Sequence, residues 1–158
     1  MALLTLRKGF SLKSDLRSDC APLNGMIAEV LTEVEVKWMR DPTRGGLATA
    51  LNELTEGKPW GVLLEESLIP LSNSVSGVSE LLGLDPLYSA NEGKAIFVVP
   101  AGAAEKSVEI LKKSAWGGNA AIIGTIEDGF PGKTVLQTEM GTLRTLGILA
   151  SDPLPRIC

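Results

Sequence analysis

Three stretches of the sequence carry residue types and spacings suited to chemistry. The first is the C-terminal "SDPLPRIC", Ser151 to Cys158, which places a thiol on the last residue. Thiolate is the reactive form of cysteine, and the nearby Arg156 modestly favours it. A terminal cysteine is open to several uses: modification site, redox thiol or metal ligand. Prenylation is excluded, because that signal needs the cysteine fourth from the end. The eleven residues from Ile148 to Cys158 span at most about 35 Å when extended, enough to carry the thiol across a domain into a neighbouring cleft. The other cysteine, Cys20 in "SDCAPL", is expected to pack beside the helix that follows it.

The second stretch is "RDPTRGGLATALNEL", Arg40 to Leu54. A strand ends here, Asp41 and Thr43 are placed to cap the coming helix, and Gly45 and Gly46 let backbone N–H groups point outward. Such a helix start can hold an anion, with Arg40 and Arg44 adding charge. It is equally the pattern of an ordinary helix start. The third stretch is "SANEGKA", Ser89 to Ala95, a tight polar turn with Asn91, Glu92 and Lys94 ahead of an apolar run. Partial burial there would raise the proton affinity of Glu92 toward that of a general base. The alternative is a solvated turn in which Gly93 takes a positive φ.

The chain contains no histidine. That excludes serine–histidine triads, most zinc sites and the commonest general base. Two cysteines among 158 residues make neither a disulfide framework nor a metal cluster, and no metal-ligating set is expected. With 15 basic and 19 acidic residues, a net charge of −4 and no basic stripe, the chain is not suited to nucleic acid. Its apolar runs fall short of the roughly 18 to 20 residues needed to span a bilayer. The opening "MALLTLRKGF" lacks the order of a secretory signal, so a cytoplasmic location is expected.

The elements that must position the three stretches follow from periodicity. Apolar residues at spacings of three and four in Pro22 to Val34 predict a helix, with Leu23, Met26, Ile27, Val30 and Leu31 on one face. "VKWM" is a short strand, and "GLATALNELTE" a helix ended by Gly57 and Pro59. "WGVLLEE" is a strand, "SNSVSGVSELLGL" a helix stopped near Gly83, and Asp85 with Pro86 a turn. "KAIFVVP" is an apolar run typical of a strand covered on both faces. "AGAAEKSVEILKKS" is a helix with acidic residues early and lysines late. "NAAIIGTIED" is a strand, and "KTVLQTE" with "TLRTL" a closing pair. Strands alternating with helices predict an α/β (α+β) layer sandwich with a mixed sheet. With 44% apolar residues the length suits one domain, divided as a linker over 1–19, a globular unit over 20–149 and a tail over 150–158. The uncapped beginning suggests the C-terminal part of a longer protein.

"SDCAPLNG", "MRDPTRGGLATALNE", "LLGLDPLYSANEGK", "AAIIG" and the final "LPRIC" together resemble the HypE family of hydrogenase maturation factors, in the family's order and over nearly the whole chain. The resemblance implies a PurM-like C-terminal domain, of the type shared with aminoimidazole ribonucleotide synthetase. Members of the family are roughly twice this length, and their N-terminal domain binds ATP and magnesium and forms the dimer. It implies that Cys158 receives a carbamoyl group from HypF, and that ATP drives dehydration to a thiocyanate. The cyano group then passes to iron on a HypC–HypD complex during assembly of nickel–iron hydrogenase. Carried over, Cys158 is the carrier and Glu92 the candidate base. The turn of Arg40, Asp41, Thr43, Arg44, Gly45 and Gly46, with Asn91, lines the phosphate side of the cleft. Two other readings are a non-catalytic docking module for maturation partners and an ATP-dependent synthetase acting on a free small molecule.

Overall fold

The computed structural model describes residues 18–148. Most of the expected linker, and the tail with Cys158, lie outside that range. Helix α1 (Asn24–Glu33) buries Met26 and Val30. Leu31, expected on the same face, is exposed, because the buried stripe runs through positions 26, 30 and 34, a repeat of four. Facing it is α4 (Ala104–Lys113), entered through a short 3₁₀ turn at Ala101–Ala103. Leu111 of α4 joins Met26, Val30 and Val34 in one apolar cluster.

Strand β1 (Trp38–Arg40) pairs antiparallel with β3 (Ile96–Val98). This ribbon separates two apolar clusters. Trp38, Ile96 and Val98 pack on one side, Phe97 and Val99 on the other. The expectation that "KAIFVVP" is a strand buried on both faces is not met: it packs against both clusters, but its three strand residues are only half-buried, since a two-stranded ribbon has no neighbouring strand to shield it.

The main sheet has the order β4-β2-β5-β6, formed by β2 (Gly61–Glu65), β4 (Gly124–Glu127), β5 (Thr134–Gln137) and β6 (Leu143–Leu146). β2 runs parallel to β5, while β2–β4 and β5–β6 are antiparallel. The sheet is therefore mixed, as the strand-rich end of the sequence predicts. Helix α2 (Gly46–Thr55) lies on it. Ala48, Leu51 and Leu54 from the helix meet Val62, Leu64, Leu136 and Leu146 from three strands. Alternation puts Val62 and Leu64 on the same face of β2, so one strand supplies two layers of this core. "NAAIIGTIED" enters the sheet only at Gly124, where a Cβ would lie 2.2 Å from the Leu63 carbonyl oxygen. A side chain at position 124 would force the edge strand off β2.

Helix α3 (Asn73–Leu82) is capped at both ends as its sequence implies. Ser72 accepts from the Val75 N–H at 3.3 Å, and Gly83 closes the helix at φ +63. The Asp85–Pro86 turn is a 3₁₀ segment, Pro86–Tyr88, whose start Asp85 caps by accepting from the Leu87 N–H at 2.9 Å.

Candidate functional site

The Arg40–Gly46 turn links β1 to α2, and the residue at its helix boundary is Gly45, in the left-handed region at φ +66. Neither Asp41 nor Thr43 caps the helix. A backbone turned left-handed at the boundary directs the chain differently from the extended Ncap that a capping side chain requires. Arg40 is turned along α2 and ion-pairs with Glu53, so its charge is shared with that carboxylate. Arg44 and Asp41 are exposed, and Thr43 is half-buried.

Gly46 also has positive φ, at +64, and a Cβ there would lie 2.4 Å from the Leu87 carbonyl oxygen and 2.7 Å from that of Ser89. Its glycine is required by close approach of the two turns. One hydrogen bond closes the junction, with the Asn91 N–H donating to the Pro42 carbonyl at 3.0 Å. The two polar stretches, some fifty positions apart in sequence, thus form one surface. Ser89 is buried beneath it, and its hydroxyl has no hydrogen-bond partner among the described residues.

Gly46→Ala should lower stability by on the order of 3 kcal/mol, combining a left-handed backbone with overlap against fixed carbonyls. At Gly45 the same left-handed backbone meets Thr49, whose Oγ1 can rotate away but whose Cβ, 2.6 Å from the added carbon, cannot, so Gly45→Ala should cost a similar amount. Urea unfolding of the two variants measures both losses.

The Ser89–Ala95 turn is fixed by side chains. The Asn91 Nδ2 donates to the Ser89 carbonyl at 2.6 Å. The Lys94 ammonium donates to the Asn91 Oδ1 at 2.6 Å and to the Asp19 Oδ2 at 3.3 Å. Gly93 is not among the glycines with positive φ. Its lack of a side chain is required instead by the Asp19 carbonyl, 1.5 Å from where a Cβ would sit. The "SDCAPL" segment therefore lies against this turn, and Cys20 is exposed there instead of packed beside α1. Glu92 is exposed, so the dry surroundings expected for a base are not supplied by the described residues.

Sequence reasoning missed a second set of contacts, which tie β6 to the same surface. The Tyr88 hydroxyl donates to the Gly147 carbonyl at 2.9 Å. Both terminal nitrogens of Arg144 donate to the Asp85 Oδ2 at 2.9 Å, and the Asn52 Nδ2 of α2 donates to the Leu146 carbonyl at 2.9 Å. Burial, reinforced by the Asp85 charge, raises the Tyr88 phenol above its ordinary range, which keeps it a donor. A usable signal existed, since Tyr88 is the single tyrosine in the sequence and sits one residue before the polar turn.

A separate depression of about 340 Å³ lies at the other end of the sheet, lined by Glu65, Ser67, Gln137, Thr138, Glu139 and Gly141. It shares no residue with the two turns. Among the described residues no group of three or more histidine, cysteine or carboxylate side chains converges to hold a metal ion, and no helix is long and apolar enough to cross a membrane.

Residues 2–137 match the family described as AIR synthase related protein, C-terminal domain. The chain belongs to that family, and its helices and mixed sheet are the PurM-like fold. Within it, the likeness is to HypE, the hydrogenase maturation protein. The carbamoyl dehydratase HypE of Azotobacter vinelandii is 42% identical over 159 aligned residues, covering 100% of this chain and 47% of that protein. A crystal structure of the hydrogenase maturation protein HypE superposes with a TM-score of 0.92 at 38% identity, over 99% of this chain and 51% of that one. A HypE structure in complex with ATP gives 0.89 at 37% identity, over 96% and 47%. A HypE–HypF complex gives 0.86 at 36% identity, over 93% and 48%. The chain thus spans about half the length of the curated relatives it matches.

Proposed function

We propose that this chain is the acceptor-bearing half of a carbamoyl dehydratase that makes the cyanide ligand of nickel–iron hydrogenase. Cys158 is the carrier. Its thiol accepts a carbamoyl group delivered by HypF, forming a thiocarbamate. ATP phosphorylates the carbamoyl oxygen, a poor leaving group until then, and loss of phosphate together with the nitrogen-bound protons leaves a thiocyanate. Glu92 is the base for those protons. The cyano carbon is then taken by electron-rich iron on a HypC–HypD complex, which supplies the bonding pair while the S–C pair stays on the departing Cys158 thiolate.

The observation that carries this reading is the junction of the two turns. The Asn91 N–H to Pro42 carbonyl bond and the seat of Gly46 against the Leu87 and Ser89 carbonyls bring the phosphate-side turn and Glu92 onto one surface. Arg44, with the glycine amides of Gly45 and Gly46, is the anion-facing part of that surface. Arg40 contributes through its pairing with Glu53, which fixes β1 to α2. Names and partners of the similar proteins supply the chemistry: one relative is a carbamoyl dehydratase, one structure holds ATP and another HypF.

ATP and magnesium are assigned mainly to an N-terminal half, joined through residues 1–19, that also forms the dimer. The described residues include no converging group of three or more histidine, cysteine or carboxylate side chains. Residues 150–158 are the arm that brings Cys158 to the surface, and its length accommodates that reach. A cytoplasmic location goes with this reading.

The test is mass spectrometry of this chain joined to a HypE ATP-binding half, with HypF, carbamoyl phosphate and ATP. The expected result is a carbamoyl adduct on Cys158 followed by a lighter cyano adduct. An unmodified Cys158 under those conditions would overturn the carrier role and leave the docking-module reading.

A further inference from the structure

We infer that Tyr88 and Asn52 are positioning residues that fix where the C-terminal arm leaves the fold, holding the Gly147 and Leu146 carbonyls beside the two turns of the candidate site. The inference rests on the carrier reading of Cys158 and adds to it how the arm is aimed. β6 ends at Leu146, and ladder bonds to β5 place the strand only up to that point. At that last strand residue and the one after it, two side chains from outside the sheet take hold of successive carbonyls, those of Leu146 and Gly147, at 2.9 Å each. Each donor comes from an element that also builds one of the turns.

Asn52 lies on α2, whose first residue is Gly46. Six residues at 1.5 Å per residue put the Asn52 grip about 9 Å along the same rigid helix from the glycine turn. Tyr88 closes the 3₁₀ segment that continues directly into Ser89, and it stands four residues, at most about 14 Å of chain, from Glu92. The Arg144–Asp85 pair, 2.9 Å through both nitrogens, holds β6 to the start of that segment. The root of the arm is thus referenced to both turns at once. Fixing the root bounds how far Cys158 can stand from the two turns for a given length of chain, and so raises its effective concentration at the site. Mere closure of the sheet edge would not require the Tyr88 grip, which lies past the last strand residue.

Cross-linking within this chain tests the aim directly. In a Cys20→Ser, Glu92→Cys background, oxidised glutathione is the oxidant: Cys158 attacks it and releases one glutathione, the introduced thiol displaces the second to close the protein disulfide, and the rate of that closure is measured against the rate at which Cys158 reacts with the free glutathione disulfide. The ratio of the two is the effective concentration of the arm tip. Tyr88→Phe keeps the ring and removes only the donor, and Asn52→Ala removes the second grip. Each should lower the ratio about three- to tenfold, the scale of one neutral hydrogen bond, with the reagent rate unchanged. Thr145→Ala, an exposed position on the same strand, should leave it at the parent value. A ratio unchanged by both variants would overturn the positioning role, as would an equal fall in Thr145→Ala, which would mark a general effect on β6. Failure of the carrier reading is seen separately, as a Cys158 without adduct in the unmutated chain.

Discussion

Cys158→Ser, in this chain joined to a HypE ATP-binding half, gains neither a carbamoyl nor a cyano adduct when HypF, carbamoyl phosphate and ATP are supplied, and it yields no cyanide for transfer to iron. The expected loss is complete, because two separate steps need sulfur. Loading requires a nucleophile partly ionised near neutrality, which a thiol provides and an alcohol does not without an adjacent base. The chain has no histidine to serve as that base. Release breaks the bond between carrier and cyano carbon with its electron pair going to the carrier atom, the iron acceptor supplying the pair that binds the carbon, and a thiolate leaves in such a displacement where an alkoxide does not. Cys20→Ser is the matched control and should load fully. Cys20 is exposed beside the same turn, so a chemistry that accepted any nearby thiol would lose part of its adduct in that variant. Deleting the last three residues separates the remaining alternative, since a synthetase acting on a free small molecule would keep its turnover. Loss of turnover on that deletion, with Cys158→Ser inert, assigns the carrier to the arm.

The fold was legible wherever local patterning decides the outcome. The helix stop at Gly83, the helix of Gly46–Thr55 and the closing pair β5–β6 each follow from periodicity and turn residues. The family itself was legible from "RDPTRGG", "SANEGK" and "LPRIC" in order. What one sequence does not carry is the register between distant turns. Nothing local says that the Asn91 N–H meets the Pro42 carbonyl, or that Gly46 must lack a side chain because Leu87 and Ser89 lie against it. Asp41 and Thr43 were assigned caps because their side chains suit the role, but the left-handed Gly45 removes the geometry a cap needs. A solvated turn would give Gly93 a positive φ, whereas its actual constraint comes from Asp19, seventy-odd positions away. Tyr88, Arg144 and Asn52 act on backbone carbonyls and a carboxylate far along the chain, and such contacts leave no periodic trace.

Glu92→Gln should stop the same reaction one stage later. On the proposed reading, loading of Cys158 is performed with HypF and needs no base from the Ser89–Ala95 turn, so the carbamoyl adduct should form at the unmutated rate. Dehydration must remove the nitrogen-bound protons as phosphate leaves, and glutamine has the size and polarity of glutamate but cannot accept a proton. A positioned general base contributes about 10²- to 10⁴-fold, so cyano adduct should fall by that factor while carbamoylated protein accumulates. The turn itself should survive, because its own bonds run through Asn91, Lys94 and Asp19 and leave Glu92 exposed. That exposure also states what the reaction needs from elsewhere. On the proposed reading that is exclusion of water from the turn, which an ATP-binding half covering it would supply. The size of the Glu92→Gln effect should accordingly shrink in assemblies that cannot close over the turn, such as one loaded with a longer linker at residues 1–19. Unaltered dehydration in the closed assembly would assign the base to another residue and reduce Glu92 to a solvated member of its turn.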